Sequence, residues 1–451
     1  MGRLFGTDGV RGIANTELTC ELAMSIGRAA ALVLAKDGRR RPVFVIGTDT
    51  RASADMLTAA LTAGLCSVGA DVICLGVIPT PAVAYLVGKY KADAGIVVSA
   101  SHNPAAFNGI KLFSGDGYKL PDELEEDIEA LVLRKRTEYP KPIGGEVGRV
   151  TTAANAAKDY IDHLKSTALY MPEGMHIAVD CANGAASVTA ARLFRELGCE
   201  VEILSDTPDG VNINEDCGST HLARLSQFVR DHGCELGIAF DGDADRCLCV
   251  DDTGEVVDGD RIMAICALDL RERGKLPSHT VVGTIMTNFG FTRFCEEQGL
   301  RFIATKVGDR FVLEEMLIGE YAFGGEQSGH IIFRDFATTG DGQLTAVQLL
   351  SYLKRCGRPL RELAQVMPQY PQYSLNLAVS AEGKRHFFTN SAIKAAIEAA
   401  KTALGSGGRI VVRPSGTEPL IRVMAEGEDA ELTRTQAESV AAVIREQLGG
   451  A

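Results

Sequence analysis

Val43-Phe44-Val45-Ile46-Gly47 is a short unbroken apolar run, and it is followed by a stretch from Ala54 to Gly69 with helical periodicity and many small residues. A second run, Asp71-Val72-Ile73-Cys74-Leu75, comes next. Apolar runs of five residues are strand-like when they alternate with helical patterns, and strand, helix, strand in this order is the pattern of βαβ units feeding a mostly parallel sheet. The same alternation returns from His176-Ile177-Ala178-Val179-Asp180 to Glu200-Val201-Glu202-Ile203-Leu204, and again from Thr280-Val281-Val282-Gly283-Thr284. The reading is therefore an α/β protein with three α/β units. Breaks are expected near Thr151 to Asp159, near Asp258 and around Pro368 to Pro371, which divides the chain into 1–153, 154–258, 259–369 and 370–451. The last segment changes character. A strand at Tyr373 to Val379, a helix at Asn390 to Leu404, strands at Arg409 to Val412 and Leu420 to Ala425, and a helix at Glu431 to Leu448 predict a smaller α+β domain.

The chain has 451 residues, more than one hydrophobic core supports, so several domains are expected. With 46 basic and 59 acidic side chains, its net charge of −13 argues against nucleic acid or an anionic membrane as main partner. A local basic pocket for phosphate is still compatible with that balance. No apolar run approaches the roughly 20 residues of a membrane span, and Met1-Gly2-Arg3-Leu4-Phe5 has no signal-peptide pattern, so a cytoplasmic protein is expected. The 12 cysteines lack the spacing of a disulfide framework or of zinc knuckles. Cys247 and Cys249, two apart on a strand, share one face and are read as small buried side chains.

Chemistry is concentrated where apolar strands open into polar loops. Ile96-Val97-Val98 runs into Ser99-Ala100-Ser101-His102-Asn103-Pro104, placing a serine at a strand end, where parallel sheets present ligand-binding groups. An ordinary turn has the same composition, so the fragment alone does not decide between the two. A serine-hydrolase reading fails because the Gly-x-Ser-x-Gly elbow is absent. Downstream, Gly237-Ile238-Ala239-Phe240 opens into Asp241-Gly242-Asp243-Ala244-Asp245-Arg246. Three carboxylates at alternate positions repel one another unless a cation lies between them, and oxygen ligands suit a hard divalent ion such as magnesium. An EF-hand is excluded by Arg246 in place of glycine at the sixth position and Asp252 in place of glutamate at the twelfth. Arg413-Pro414-Ser415-Gly416-Thr417-Glu418-Pro419 joins two predicted strands. It reads as an anion cradle, with a forked donor in Arg413, hydroxyls in Ser415 and Thr417, and a flexible turn at Gly416.

Taken in order, these motifs resemble the phosphohexomutase superfamily, and most closely its bacterial phosphoglucosamine mutases. The resemblance runs from Phe5-Gly6-Thr7-Asp8-Gly9-Val10-Arg11-Gly12 through Ser101-His102-Asn103-Pro104, Asn108-Gly109-Ile110-Lys111 and the three aspartates to Gly325-Glu326-Gln327-Ser328-Gly329-His330 and the Arg413 loop. It implies three similar α/β domains and a smaller fourth around a central cleft. The implied reaction interconverts glucosamine 6-phosphate and glucosamine 1-phosphate, feeding UDP-N-acetylglucosamine synthesis. Ser101 would carry the phosphoryl group, and phosphorylated Ser101 with Asp241, Asp243 and Asp245 would hold Mg2+. Glucose 1,6-bisphosphate or glucosamine 1,6-bisphosphate would serve as activator or intermediate. Arg11 and Lys111 would lie near the transferring group, with Lys111 available for acid–base catalysis if its pKa is depressed. Glu326, Ser328 and nearby His330 would meet the sugar, with His330 counted among the catalytic groups. Gln327 speaks for the glucosamine enzymes over the glucose and mannose mutases. Arg413, Ser415, Gly416 and Thr417, assisted by Arg422, would hold the phosphate that is not being transferred. The role of His102 is left open, and the only partners implied are an amino-sugar phosphate and a second copy in a homodimer.

Overall fold

The computed structural model describes residues 4–6, 8–35, 41–133, 139–415 and 420–449. Two compact units are present. The first comprises 1–284 with 305–365, and the second 285–304 with 366–451.

The first unit contains three sheets. In the first sheet, Val43–Thr48 lies between Ala94–Val98 and Asp71–Val77, and all three run parallel. Phe44 to Gly47 are buried, as expected of a strand covered on both faces, which is why its apolar run does not alternate. Val150–Thr152 extends one edge in parallel, whereas Phe107–Ser114 and then Val10–Ile13 extend the other edge antiparallel. Helices Cys20–Leu34 and Ala54–Ser67 pack onto it through Ile26, Ala30, Leu57, Leu61 and Leu65 against Phe44, Ile46, Val72 and Ile96. The second sheet places His176–Asp180 parallel to both Glu200–Leu204 and Leu236–Phe240, with Cys247–Asp251 and Val256–Val257 added antiparallel. In the third, Thr280–Thr284 pairs parallel with Phe323–Gly325, which pairs antiparallel with Ile331–Phe333. Helices Gly259–Glu272 and Gly342–Cys356 begin at Asp258 and Asp341, whose carboxylates accept from the amides of Arg261 and Leu344. Each thereby satisfies a backbone donor that the helix itself leaves unpaired.

The second unit has a three-stranded antiparallel sheet, Gln372–Ala378, Leu420–Gly427 and Gly408–Pro414 in that order, covered by Ser391–Leu404 and Ala430–Leu448. Each element begins within two residues of its sequence-based expectation. Ile393, Ile421, Val423, Val440 and Ile444 form its core. The segment 285–304 joins this unit through reciprocal 3.1 Å hydrogen bonds between the Asn288 side chain and the backbone of Tyr370, and through Arg409, which donates to Thr287 O.

All four loops singled out in the sequence are connections between adjacent antiparallel strands. The Ser101 loop links Ala94–Val98 to Phe107–Ser114, the aspartate loop Leu236–Phe240 to Cys247–Asp251, the Glu326 loop Phe323–Gly325 to Ile331–Phe333, and the Ser415 loop Gly408–Pro414 to Leu420–Gly427. Both ends of each loop are fixed by sheet hydrogen bonds, and in the first three a short polar connection thereby keeps a defined shape. None of the twelve cysteines is disulfide-bonded, and Cys247 and Cys249 are buried. Among the described residues no helix is long and apolar enough to cross a membrane.

Candidate active site

The Ser101 hydroxyl is almost fully buried and donates to Asp241 Oδ2 at 2.6 Å, across 140 residues of sequence. Ser101 has φ of 53°, a left-handed backbone that costs a non-glycine residue roughly 1–2 kcal/mol. The surroundings hold it there. Its amide donates to Ser99 Oγ at 3.0 Å, and Ser99 Oγ donates to Asp49 Oδ2 at 2.6 Å. Arg51, fully buried with Asp49, donates to the carbonyls of Ser101, Asn103, Pro104 and Phe107. The Arg51 fork thus ties three carbonyls of the loop and the first of the following strand to one side chain. Arg51→Ala is expected to lower stability by about 3–5 kcal/mol, because Asp49 is then left buried without its counter-ion. Urea unfolding of the variant measures this directly.

Asp241, Asp243 and Asp245 are buried, and one oxygen from each lies within 4.8 Å of the others. Burial, then the charges of Asp245 and Asp243, raise the Asp241 carboxyl well above the usual carboxylate range. Lys111, also buried, places Nζ 2.8 Å from Asp243 Oδ2, 3.1 Å from Asp8 Oδ2 and 3.3 Å from Asp245 Oδ2. Burial works against its charge, but Asp243, Asp8 and Asp245 outweigh burial and raise its pKa well above the ordinary lysine value. The depressed lysine considered from sequence is therefore not what the fold builds; Lys111 enters the site as a cation. Asp243 Oδ1 and Asp245 Oδ1 remain buried with no hydrogen-bond partner. Carboxylate oxygens without hydrogen bonds, with Arg246 Nε 3.9 Å from Asp245 Oδ1, fit a hard divalent cation beside a raised Asp241, and the Ser101 hydroxyl, 2.6 Å from Asp241 Oδ2, adds a fourth oxygen.

Arg11 pairs with Asp8, which also receives Lys119, and Lys119 in turn meets Asp309. Burial opposes the charge of Asp8, yet Lys111, Lys119 and Arg11 hold its carboxyl well below the usual range. Asp309 Oδ2 stands 3.4 Å from His330 Nε2. Neither ring nitrogen of buried His330 has a hydrogen-bond partner. Alternating charges thus run from the aspartate loop to the Glu326 loop. That loop is seated on the aspartate hairpin, since Cys247 N donates to Gly329 O at 3.0 Å. Burial raises the half-buried Glu326, which accepts from Gly308 N at 3.1 Å. Ser328 is half-buried in the same loop. Gln327 Nε2 donates to Asp258 Oδ2 at 3.4 Å, bracing the loop against a helix cap. His102 Nδ1 is 3.4 Å from Ser101 Oγ, and burial followed by Arg246 and Arg11 pushes the imidazole down to about 4, so it is neutral at pH 7.

In the second unit, Arg413 and Arg422 are directly opposed cross-strand partners. Burial and then Arg422 lower the Arg413 pKa. Like charges facing each other are unfavourable in a sheet without an anion, which suits the cradle reading. Ser415 is buried and its amide donates to Leu420 O; Gly416 and Thr417 lie outside the described residues.

Sequence reasoning missed Asp8, Asp49, Arg51, Lys119, Asn214 and Asp309. Asp49 and Arg51 directly follow a buried strand, the position that singled out Ser101, and that signal could have found them.

The chain matches the phosphoglucomutase/phosphomannomutase alpha/beta/alpha domain I over residues 2–139, domain II over 158–254, domain III over 258–370 and the C-terminal domain over 375–443. It is 53% identical over 448 residues to a phosphoglucosamine mutase of Thermoanaerobacter sp. (strain X514), covering 99% of this chain and 100% of that one. Identity to the phosphoglucosamine mutase of Symbiobacterium thermophilum is 54% over 449 residues, with 99% and 100% covered. Among solved structures, a phosphoglucomutase/phosphomannomutase family protein from Burkholderia thailandensis superposes with a TM-score of 0.84 at 23% identity, covering 100% of this chain and 99% of that one. Aspergillus fumigatus N-acetylphosphoglucosamine mutase, in complex with GlcNAc-6P and magnesium, gives 0.67 at 18% identity, with 98% and 95% covered. Both show likeness of fold.

Proposed function

The chain belongs to the phosphoglucomutase/phosphomannomutase family, and from that premise we propose that it is a phosphoglucosamine mutase, interconverting glucosamine 6-phosphate and glucosamine 1-phosphate through a phosphoserine at Ser101. The observation that carries the chemistry is the Ser101 hydroxyl 2.6 Å from a buried carboxylate triad. The substrate follows from relatives named phosphoglucosamine mutase that are about half identical over the whole chain. The same relatives favour this reading over a glucose or mannose phosphate mutase.

In the forward direction the bond between phosphorus and Ser101 Oγ breaks as a bond to the sugar's anomeric oxygen forms, giving a sugar 1,6-bisphosphate. The second transfer returns the other phosphoryl group to Ser101. A magnesium ion held by Asp241, Asp243 and Asp245 would supply counter-charge to the phosphoryl group. Phosphoryl transfer needs alignment and charge compensation more than covalent chemistry, and the residues support that division of labour. Lys111 and Arg11 bring fixed cations. His330, with both ring nitrogens outside any hydrogen bond, can accept the proton of the attacking hydroxyl. Glu326 and Ser328 would bind sugar hydroxyls, and Arg413, Ser415, Gly416, Thr417 and Arg422 the distal phosphate. Glucose 1,6-bisphosphate or glucosamine 1,6-bisphosphate would prime Ser101. The proposal includes a cytoplasmic homodimer, which the unpaired cysteines fit as to compartment, and no nucleic-acid or membrane partner, in keeping with the net charge of −13.

The test is a coupled assay with magnesium and a trace of glucose 1,6-bisphosphate, comparing glucosamine 6-phosphate with the glucose and mannose phosphates. Preferential turnover of the amino sugar is expected; preference for either neutral sugar would move the assignment to the alternative.

Gly340 supports the histidine. A Cβ there would lie 2.5 Å from three atoms of the His330 imidazole, so the ring rests flat on the glycine. Gly340→Ala is expected to push the ring aside and lower kcat at least about tenfold. The overpacking cost is about 1–3 kcal/mol. Steady-state kinetics, with circular dichroism to verify folding, gives the result.

A further inference from the structure

We infer that Asn214 is a positioning residue for phosphoryl transfer, locking the Ser101 peptide to the aspartate loop; the inference rests on Ser101 as the phosphoryl carrier. Asn214 is buried, and its Nδ2 donates to Ser101 O at 2.9 Å and to Asn103 O at 3.1 Å, more than a hundred residues away in sequence. The Ser101 carbonyl therefore receives two side-chain donors, Asn214 and Arg51. Fixing that carbonyl fixes the left-handed peptide, and with it the direction of the Cα–Cβ bond that carries Oγ toward Asp241.

Asn214 also touches the second loop. A Cβ on Gly242, the residue between Asp241 and Asp243, would fall 2.6 Å from Ser101 O and 2.9 Å from Asn214 Nδ2. The amide thus sits where the serine loop and the aspartate loop meet. The backbone of Asn214 suits that place, since its φ is 60°, a region asparagine tolerates better than most residues, and its N–H donates to Ala182 O at 2.9 Å. Two neighbouring contacts, Thr50 Oγ1 to Asn183 O and Ala52 N to Gly210 O, fasten the segment that carries Arg51 to the turn at Asn183 and to Gly210, four residues before Asn214. The amide orientation is fixed by chemistry, because a flipped Asn214 would aim its oxygen at two carbonyl oxygens.

Asn214→Gly removes the donor and tolerates the left-handed backbone; Asn214→Asp keeps shape and turn preference but exchanges donor for acceptor. Both are assayed in the full chain with glucosamine 6-phosphate, magnesium and glucose 1,6-bisphosphate, alongside intact mass of Ser101 phosphorylation and thermal unfolding. For Asn214→Gly, kcat is expected to fall about tenfold to a hundredfold, a misalignment-sized effect. KM should change by less than about threefold, as for an interaction that acts in the transition state. Asn214→Asp should fall further, with unfolding midpoints retained. Wild-type kcat in Asn214→Gly overturns the inference, as does an activity loss that tracks a lowered unfolding midpoint in both variants. Wild-type protein that turns over without a phosphoryl group ever appearing on Ser101 overturns the carrier reading instead, and this inference with it.

Discussion

Ser101→Ala should lose more than about a thousandfold in turnover while folding normally, since the group removed would carry the phosphoryl between the two half-reactions and no neighbour can replace it. Two other hydroxyls lie nearby: Thr80, whose Oγ1 is committed as a donor to Asp243 Oδ2 at 2.6 Å, and Ser99. Ser99 Oγ already donates to Asp49 and accepts from the Ser101 amide, so it faces into the loop's support. His102 is a neutral imidazole, without a place in the carboxylate cluster. Loss of one hydroxyl leaves Asp241 Oδ2 without its serine donor while Oδ1 still accepts from Arg246 N at 3.2 Å, so the stability change should stay within about 1–2 kcal/mol. Two readings check the result: rate with glucosamine 6-phosphate, and intact mass after exposure to glucose 1,6-bisphosphate. Retention of a tenth or more of the wild-type rate would remove the phosphoserine mechanism.

Chelation should be nearly as severe. Treatment with EDTA is expected to reduce turnover by more than about a hundredfold, with recovery on adding magnesium, because three buried carboxylates facing a doubly charged phosphoryl group are mutually repulsive without a cation. Lys111 cannot take over. It neutralises one side of the cluster, touching Asp243 Oδ2 and Asp245 Oδ2, while Asp243 Oδ1 and Asp245 Oδ1 have no hydrogen-bond partner. Asp241→Asn should raise the magnesium concentration needed for half-maximal rate at least about tenfold, since it removes one anionic ligand of three and leaves the loop's shape. A titration of rate against magnesium separates this from a general loss of activity; full activity of wild-type protein in EDTA would sink the metal assignment.

What could be read from sequence was whatever is encoded locally. The run from Val43 to Gly47 is apolar on both faces because it lies inside a sheet, and Asp241, Asp243 and Asp245 declare themselves by spacing alone. The contacts made by the supports were not legible for the opposite reason. Arg51 acts on carbonyls about fifty residues later, Asn214 on a carbonyl more than a hundred residues earlier, and Lys119 bridges Asp8 to Asp309. Nothing in the local pattern around any of them marks the partner. Lys111 was legible as a residue but not as an electrostatic state, because Asp8 and the triad reach it only in the folded chain. The antiparallel pairing on either side of each loop was equally hidden, since an apolar run does not reveal the direction of its neighbour.

The second unit is assembled from two separated pieces of chain, 285–304 and 366–451. On the ribosome, the helix Phe289–Gln298 emerges long before the strands and helices that complete its unit. At about 5–20 residues per second it waits from about six seconds to about half a minute for the C-terminal sheet. During that interval Phe291 and Phe294, fully buried in the finished protein, belong to a unit whose sheet has not yet been made.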